Sequence, residues 1–391
     1  MKILYVTGMW SGLKDVLIDN KKTYSGMPAF MRPLLSLKER GHIVDLLIGY
    51  KDCDCFSALS NGYLSNGNIY VIPYKIKSKF SRLLSMFWLV LESYKLIKKN
   101  NYDFIYLHGT LGVLVTLLAR IYNVPIGQRL YGIILSDQIE SKGKLRSILA
   151  HPAGVLSFFL KKNFLLITND GTKGQNVPGL IGIKTKYEMY YWLNGVDFVD
   201  FKQDSSTLAN VLFYPARIDR WKGQDRAITF LKKLHKKGHH ELRLVFCGHI
   251  TDDVYFSELM SLARSEGVEN SVSYEGLIEN EEISTLYNSS LAVLMMYDYS
   301  NLGNVFIESF CSGACVVALD NGSLKDYVIN KSTGIVGSDM DLLVDDFDAI
   351  IRNLSKYQSI RSSAKTASRS IFSTWNQRVA REIELIEKHL C

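Results

Sequence analysis

The sequence is poor in the residues that staple, stiffen or anchor a chain. Six cysteines among 391 residues, at positions 53, 55, 247, 311, 315 and 391, have neither paired CxxC spacing nor the density of a disulfide scaffold. That excludes a stapled mini-fold and suits a reducing cytoplasm. Cys53 and Cys55 stand one residue apart without further ligands nearby, so they read as loop cysteines and no metal site is expected. Only seven prolines occur, and no Pro-rich, Gly/Ser-rich or acidic low-complexity run is present, so the whole chain is expected to fold. The opening run Ile3 to Val6 lacks the length and the small-residue cleavage pattern of a signal peptide and reads as a buried strand.

What is present is a globular composition, 47% hydrophobic and 22% charged. The length favours two domains of roughly 150 to 200 residues each, hence two cores and a cleft between them. The formal charge of +7 would draw nucleic acid, anionic lipid or small anions alike. Nucleic acid would need a contiguous aromatic and basic stripe, whereas the basic residues here scatter over helix ends, so no nucleic-acid partner is expected. Lys75, Lys77, Lys79 and Arg82 precede the apolar stretch 83–91, and Lys95, Lys98 and Lys99 follow it. The stretch is far short of the ~20 residues that span a bilayer. Two readings stand: a helix half-buried against a sheet with solvated lysines at its ends, or a helix lying on an anionic membrane surface.

Strand-like runs at 2–7, 43–48, 69–72 and 104–107 alternate with helical patterns at 30–40, 80–99 and 113–122. This is the signature of a parallel sheet. A polar segment at 202–207 precedes a fresh strand, so a domain boundary belongs near 198–208. The scheme then repeats, with strands at 211–214, 242–246, 272–274, 292–296 and 315–319 and helices at 224–237, 254–266, 281–288 and 305–312. The expected fold class is α/β, two wound parallel sheets holding a ligand at their C-terminal strand edges.

Three stretches carry chemistry. In the loop Arg217-Ile218-Asp219-Arg220-Trp221-Lys222-Gly223, between a strand end and a helix start, Arg217 and Lys222 can converge with the positive helix end on one anion such as a diphosphate. Loop cations are also commonly just solvated. A second helix start runs from Ser300 to Glu308, where Gly303 would let the amides of Asn304 and Val305 approach a phosphate and Glu308 would accept from a ribose hydroxyl. An exposed glutamate without a ligand fits the same pattern. The turn 23–29, containing Gly26, would cap a sugar or phosphate with its amides, or is an ordinary loop.

In order and spacing these stretches resemble the retaining glycosyltransferases of the GT-B fold, family 4 (glycosyltransferase group 1), over nearly the whole chain. The residues that carry the resemblance are Ser25-Gly26, Arg40-Gly41-His42-Ile43-Val44, Tyr102-Asp103 through His108, Asn194-Gly195-Val196-Asp197, Arg217 with Lys222-Gly223, and Gly303, Glu308, Gly313, Val316 and Val317. The resemblance implies two Rossmann-like domains facing across a cleft, an acceptor-side domain at 1–200 and a nucleotide-sugar domain at 208–371, with a helix at 372–391 packing back on the first. It implies transfer of a sugar, with retention, from a nucleotide-diphosphate sugar to a saccharide or lipid-linked saccharide, in bacterial cell-surface polysaccharide or glycolipid synthesis. The setting would be the cytoplasm or, peripherally, the inner face of the plasma membrane. No cofactor beyond the co-substrate and no metal are implied. Arg217 and Lys222 would hold the diphosphate, Glu308 the ribose, and Gly248 would lie near the base. Tyr131 and His108 would join Arg217 and Lys222 as catalytic residues, and Gly26, Arg129, Ser300, Gly303, Asn304 and Val305 would complete the donor-binding set.

Two departures matter. Ser300 replaces the first acid of the family's pair of glutamates separated by seven residues, with Asp298 as a candidate substitute. Tyr131 stands where the usual histidine would be, within Arg129-Leu130-Tyr131-Gly132 and together with Ile167-Thr168-Asn169-Asp170-Gly171-Thr172, a combination that resembles a variant subset. These departures also motivate an alternative, a catalytically altered protein with a regulatory or scaffold role.

Overall fold

The computed structural model describes residues 1–51, 57–59, 61–74, 79–198, 209–299 and 301–390. Ser300, Cys53, Cys55, Lys75, Lys77 and most of the polar segment expected to mark the boundary therefore lie outside the described residues. The chain forms two compact units: unit 1 comprises Met1–Gly195 and Trp375–Cys391, and unit 2 comprises Val196–Thr374. The switch falls at residue 196, short of the expected 200, because the amide of Val196 donates to the carbonyl of Ser373 at 3.1 Å. The two segments at which the chain passes from one unit to the other thus meet in a single parallel bridge, Val196 with Thr374, within unit 2.

Unit 1 runs β1 Lys2–Gly8, α1 Ser11–Leu17, α2 Pro28–Glu39, β2 Ile43–Tyr50, β3 Ser57–Leu59, β4 Ile69–Pro73, α3 Lys79–Lys99, β5 Phe104–His108, α4 Val115–Ile121, β6 Ile126–Leu130, α5 Leu135–Lys142, α6 Lys144–Ala150, α7 Pro152–Phe159, β7 Phe164–Thr168, α8 Val177–Ile181 and β8 Glu188–Trp192. Unit 2 continues with β9 Ala209–Pro215, α9 Gln224–Lys236, β10 Arg243–Cys247, α10 Asp253–Ser265, β11 Val272–Tyr274, α11 Asn280–Ser289, β12 Ser290–Met295, α12 Asn304–Ser312, β13 Val316–Leu319, β14 Ile335–Gly337, α13 Met340–Ile351 and α14 Leu354–Ile371. The last helix, α15 Trp375–Glu387, belongs to unit 1.

The unit 1 sheet has the order β3-β4-β2-β1-β5-β6-β7-β8 and is parallel except for β3, which runs antiparallel to β4. Helices cover both faces, which is why β1 is apolar without alternation. Ile3 and Tyr5 meet Phe30, Leu34, Val379 and Ile383 from α2 and α15, while Leu4 and Val6 meet Leu89, Leu96 and Val115 from α3 and α4. The turn at 23–29 lies after β1 and leads into α2, with the short helix α1 between it and the strand. The unit 2 sheet, β11-β10-β9-β12-β13-β14, is wholly parallel. On α9 the spacing Ala227, Ile228, Phe230, Leu231 and Leu234 places one stripe in the core and leaves the lysines outward.

Both sheets reverse winding direction beside their first strand. The switch points lie between β1 and β5 in unit 1 and between β9 and β12 in unit 2. At a switch point neighbouring loops diverge to opposite faces, which opens a crevice at the C-terminal strand ends.

Candidate active site

The unit 2 crevice is built by the two loops singled out from the sequence. β9 delivers Arg217 at its C-terminal end, the 3₁₀ turn Arg220–Lys222 follows, and Gly223 opens α9 in the left-handed conformation, φ +64°. A Cβ on Gly223 would stand 2.1 Å from the Met296 carbonyl, so only glycine allows the loop to close on the end of β12. The amide of Asp298 donates to the Trp221 carbonyl at 2.8 Å, and the amide of Met296 donates to the Tyr214 hydroxyl at 3.1 Å. These bonds stitch the first loop to the segment that leads into α12.

Lys222 lies in an aromatic slot, its Nζ 3.8 Å from the ring centroid of Trp221 and 3.7 Å from that of Tyr297. Burial, reinforced by the Arg217 guanidinium, lowers its pKa to about 7. Arg217 is exposed. Neither cation has an ion-pair partner among the described residues, while Arg226 beside them is bound to Asp298. Asp298 was the candidate substitute for the missing acid; its carboxylate is engaged by Arg226 instead.

Helices α10, α13 and α14 are capped by the side chains of Asp252, Asp339 and Asn353. Helices α9, α11 and α12 have no cap bond from the N-cap side chain, and in α9 the Asp225 amide donates instead to the Tyr255 hydroxyl at 3.2 Å. The positive end of a helix favours an anion. Gly303 has φ −71°, open to any residue, so its glycine serves space in front of the helix rather than backbone conformation. Glu308, one turn in, accepts from the Tyr287 hydroxyl at 3.3 Å. Gly248, φ +131°, sits at the end of β10, where a Cβ would meet the Ala216 carbonyl at 2.5 Å. The strand-end loop of β10 therefore packs directly against that of β9.

In unit 1 a cavity of about 520 Å³ opens at the β1/β5 switch point, lined by Gly8, Trp10, Lys14, Lys51, His108 and Gly109 among others. His108 is buried, with Nδ1 2.8 Å from the Tyr131 hydroxyl. Burial holds its pKa well below the ordinary imidazole value and the Arg129 charge adds to that, so the ring is neutral. Burial likewise raises the Tyr131 phenol. Trp10 packs edge-on to Tyr131 at 5.2 Å and donates through Nε1 to Thr7 at 2.7 Å. Arg129, expected among the donor-binding residues, is fully buried and paired with Glu382 of α15, its Cζ 5.0 Å from the Tyr131 ring. Gly26 packs on the start of α1, where a Cβ would meet Ser11 Oγ at 2.3 Å. Its neighbour Ser25 donates through its amide and hydroxyl to Asp15, at 2.8 and 2.7 Å.

The structure thus gathers Arg217, Lys222 and Gly248 with the β12–α12 segment in unit 2, and His108, Tyr131 and Arg129 in unit 1. Sequence reasoning missed the aromatic walls of Lys222, the lysines of the unit 1 cavity, and Glu382. The signal for the last was present: Arg378 and Glu382 stand four apart on the apolar stripe of α15, where an unpaired charge would be costly.

Among the described residues no helix is long and apolar enough to cross a membrane, and no group of three or more His, Cys, Asp or Glu is placed to hold a metal.

Comparison with known proteins gives a consistent result. Residues 197–367 match the family model described as glycosyl transferases group 1, and residues 36–170 match that described as glycosyl transferase 4-like. A glycogen synthase of Mycobacterium tuberculosis is 24% identical over 222 residues, 56% of this chain and 52% of that protein. The chain thus spans about half the length of the curated relatives it matches. Sucrose-phosphate synthase from Thermosynechococcus elongatus superposes with a TM-score of 0.72 at 15% identity, covering 98% of both chains. Anabaena HepE, solved in complex with UDP and glucose, superposes with 0.69 at 17% identity over 98% of this chain and 99% of its own. At these identities the superpositions establish the two-sheet GT-B architecture.

Proposed function

The chain belongs to the group 1 glycosyltransferases, and on that premise we propose that it transfers a sugar from a nucleotide-diphosphate donor to a saccharide or lipid-linked saccharide, with retention and without a divalent metal. One observation carries the donor assignment: Lys222 is desolvated between two rings beside Arg217, and among the described residues no carboxylate stands within ion-pair distance of it, Asp219 acting only from farther off. A buried ammonium without a counter-ion is costly, and a diphosphate would relieve that cost. The positive end of α12 at Asn304 and Val305 would add to the grip, Glu308 would accept from a ribose hydroxyl, and the β10 end at Gly248 would border the base. That HepE was solved with UDP supports a nucleoside diphosphate as the leaving group.

In the reaction the bond from the anomeric carbon to the diphosphate breaks and a bond from that carbon to an acceptor oxygen forms on the same face. The acceptor proton passes to the departing phosphate. Fixed cations stabilise the charge that develops there. The unit 1 cavity, lined by His108 with Tyr131 hydrogen-bonded behind it, would take the acceptor. Turnover of Arg217→Ala and Lys222→Ala tests the donor assignment, with a panel of nucleotide sugars screened first by thermal shift. The expected loss in kcat/KM is about 10²–10³-fold for each. Unchanged turnover would remove the assignment, and strict dependence on an added divalent ion would remove the metal-free mechanism.

A lipid-linked acceptor is supported by α3. Its Phe87 and Trp88 are 57% and 53% exposed, while Met86, the residue before them, lines the unit 1 cavity. Flotation with anionic and neutral liposomes distinguishes the readings: recovery with anionic vesicles only is expected, and recovery with neither ends the membrane proposal.

A further inference from the structure

Glu382 touches neither the unit 1 cavity nor the donor loops, yet it is tied to the residues beneath that cavity. It is 0% exposed on the inner stripe of α15. Its Oε1 accepts from the Tyr106 hydroxyl at 2.8 Å; its Oε2 accepts from Arg378 Nη1 at 3.0 Å and from Arg129 Nη1. Arg129 lies against the Tyr131 ring, and the Tyr131 hydroxyl meets His108 Nδ1. A continuous path of contacts therefore runs from the C-terminal helix to the imidazole that lines the cavity.

Two guanidiniums share this one carboxylate. Burial, then repulsion from Arg129, lowers the Arg378 pKa to about 10, whereas Glu382 more than restores Arg129 against the same burial. Arg129 Nε and Nη2, Arg378 Nη2 and His108 Nε2 remain buried without a hydrogen-bond partner. Packing alone does not account for a cluster of two buried guanidiniums on one buried carboxylate, since apolar residues of the same volume usually stabilise as well or better.

We infer that Glu382 is a positioning residue: through Arg129 it fixes the Tyr131 ring and hence the hydrogen bond by which Tyr131 holds His108, the imidazole that lines the cavity. The inference rests on the proposed transferase reading, in which Tyr131 and His108 face the acceptor. A misplacement of reacting groups by about 1 Å can cost 10²-fold in rate without loss of binding.

The test uses the full chain and the donor found by the nucleotide-sugar screen. Glu382→Gln keeps the side-chain volume and the acceptor for Tyr106 but removes the charge; kcat should fall about tenfold or more while donor KM stays within about twofold. Tyr131→Phe should lower kcat comparably, and the double variant should be no slower than the slower single, because both act on one element. Glu382→Asp, which keeps the charge, should recover part of the loss, and it also reads the effect if the glutamine variant unfolds. In ¹⁵N-histidine-labelled protein, Glu382→Gln should move the His108 ring resonances, whereas the exposed Glu384→Gln on the same helix should not. Wild-type kcat in Glu382→Gln, or multiplicative losses in the double variant, overturns the inference. Wild-type turnover in Tyr131→Phe and His108→Ala would instead end the assignment of those two residues, whatever Glu382 does.

Discussion

Lys222 Nζ stands 3.7 Å from the ring centroid of Tyr297, with Trp221 on its other side. Burial in the slot, with the Arg217 charge beside it, lowers the Lys222 pKa to about 7, and the opposing pull of Asp219 does not offset them. A bound diphosphate favours the charged form, and donor binding above neutral pH must therefore bring a proton with it. Donor affinity should weaken as pH rises from 7 to 9, approaching about tenfold per unit. Lys222→Arg, permanently charged, should flatten that profile. Calorimetry in buffers of different ionisation enthalpy checks the uptake, and a binding enthalpy independent of buffer at pH 8 would contradict it.

Glu308 is assigned to a ribose hydroxyl. Replacing it by glutamine should weaken nucleoside-diphosphate binding by about 1.5–3 kcal/mol, the range of a hydrogen bond to a charged group. Deoxyribose versions of the nucleotide identify the contact: wild-type protein should bind them worse, and Glu308→Gln should not distinguish them from the parent. Equal discrimination by both proteins would place the carboxylate elsewhere.

Gly223 and Gly248 combine positive φ with carbonyls 2.1 and 2.5 Å from where a Cβ would sit. Alanine at either should cost more than the about 1–3 kcal/mol of left-handed strain alone. Gly238, φ +99° with nothing within 4 Å of a Cβ, is the control that carries strain only. Urea midpoints of the three variants give the comparison, and equal losses at all three positions would deny the close approach.

Lys162 is buried in unit 1, donating to Gln128 Oε1 at 2.6 Å, and burial lowers its pKa to about 7. Between that value and the ordinary lysine value of 10.5 the unfolded chain holds the proton and the folded chain does not. Stability therefore rises with pH in this window, by at most about 1.4 kcal/mol per unit for this one group. Lys162→Met should shrink the gain in urea midpoint between pH 7 and 9. An undiminished gain would mean that Lys162 stays charged on folding.

The second unit was the more legible half. Its strand 272–274 was read to the residue, and α9, expected over 224–237, ends at Lys236. Long, regularly striped helices between short apolar strands leave little ambiguity. In the first unit α1 escaped notice, because seven residues around Gly12 give barely two turns of periodicity. The elements between 126 and 192 are similarly short, none longer than eight residues. At the sites, residue types and loops were readable but commitments were not. Nothing local reveals that Asp298 is engaged by Arg226, or that Arg129 meets a carboxylate 253 positions away.

That Trp375, Val379, Ile383 and Ile386 complete the first core has a consequence for biosynthesis. The second unit is contiguous and can acquire its structure while translation continues. The first, though made earlier, must wait with an uncovered groove and an uncompensated Arg129 until residue 386 has been added. Truncations before α15 should therefore yield a nascent chain that chaperones hold, with its later half already folded.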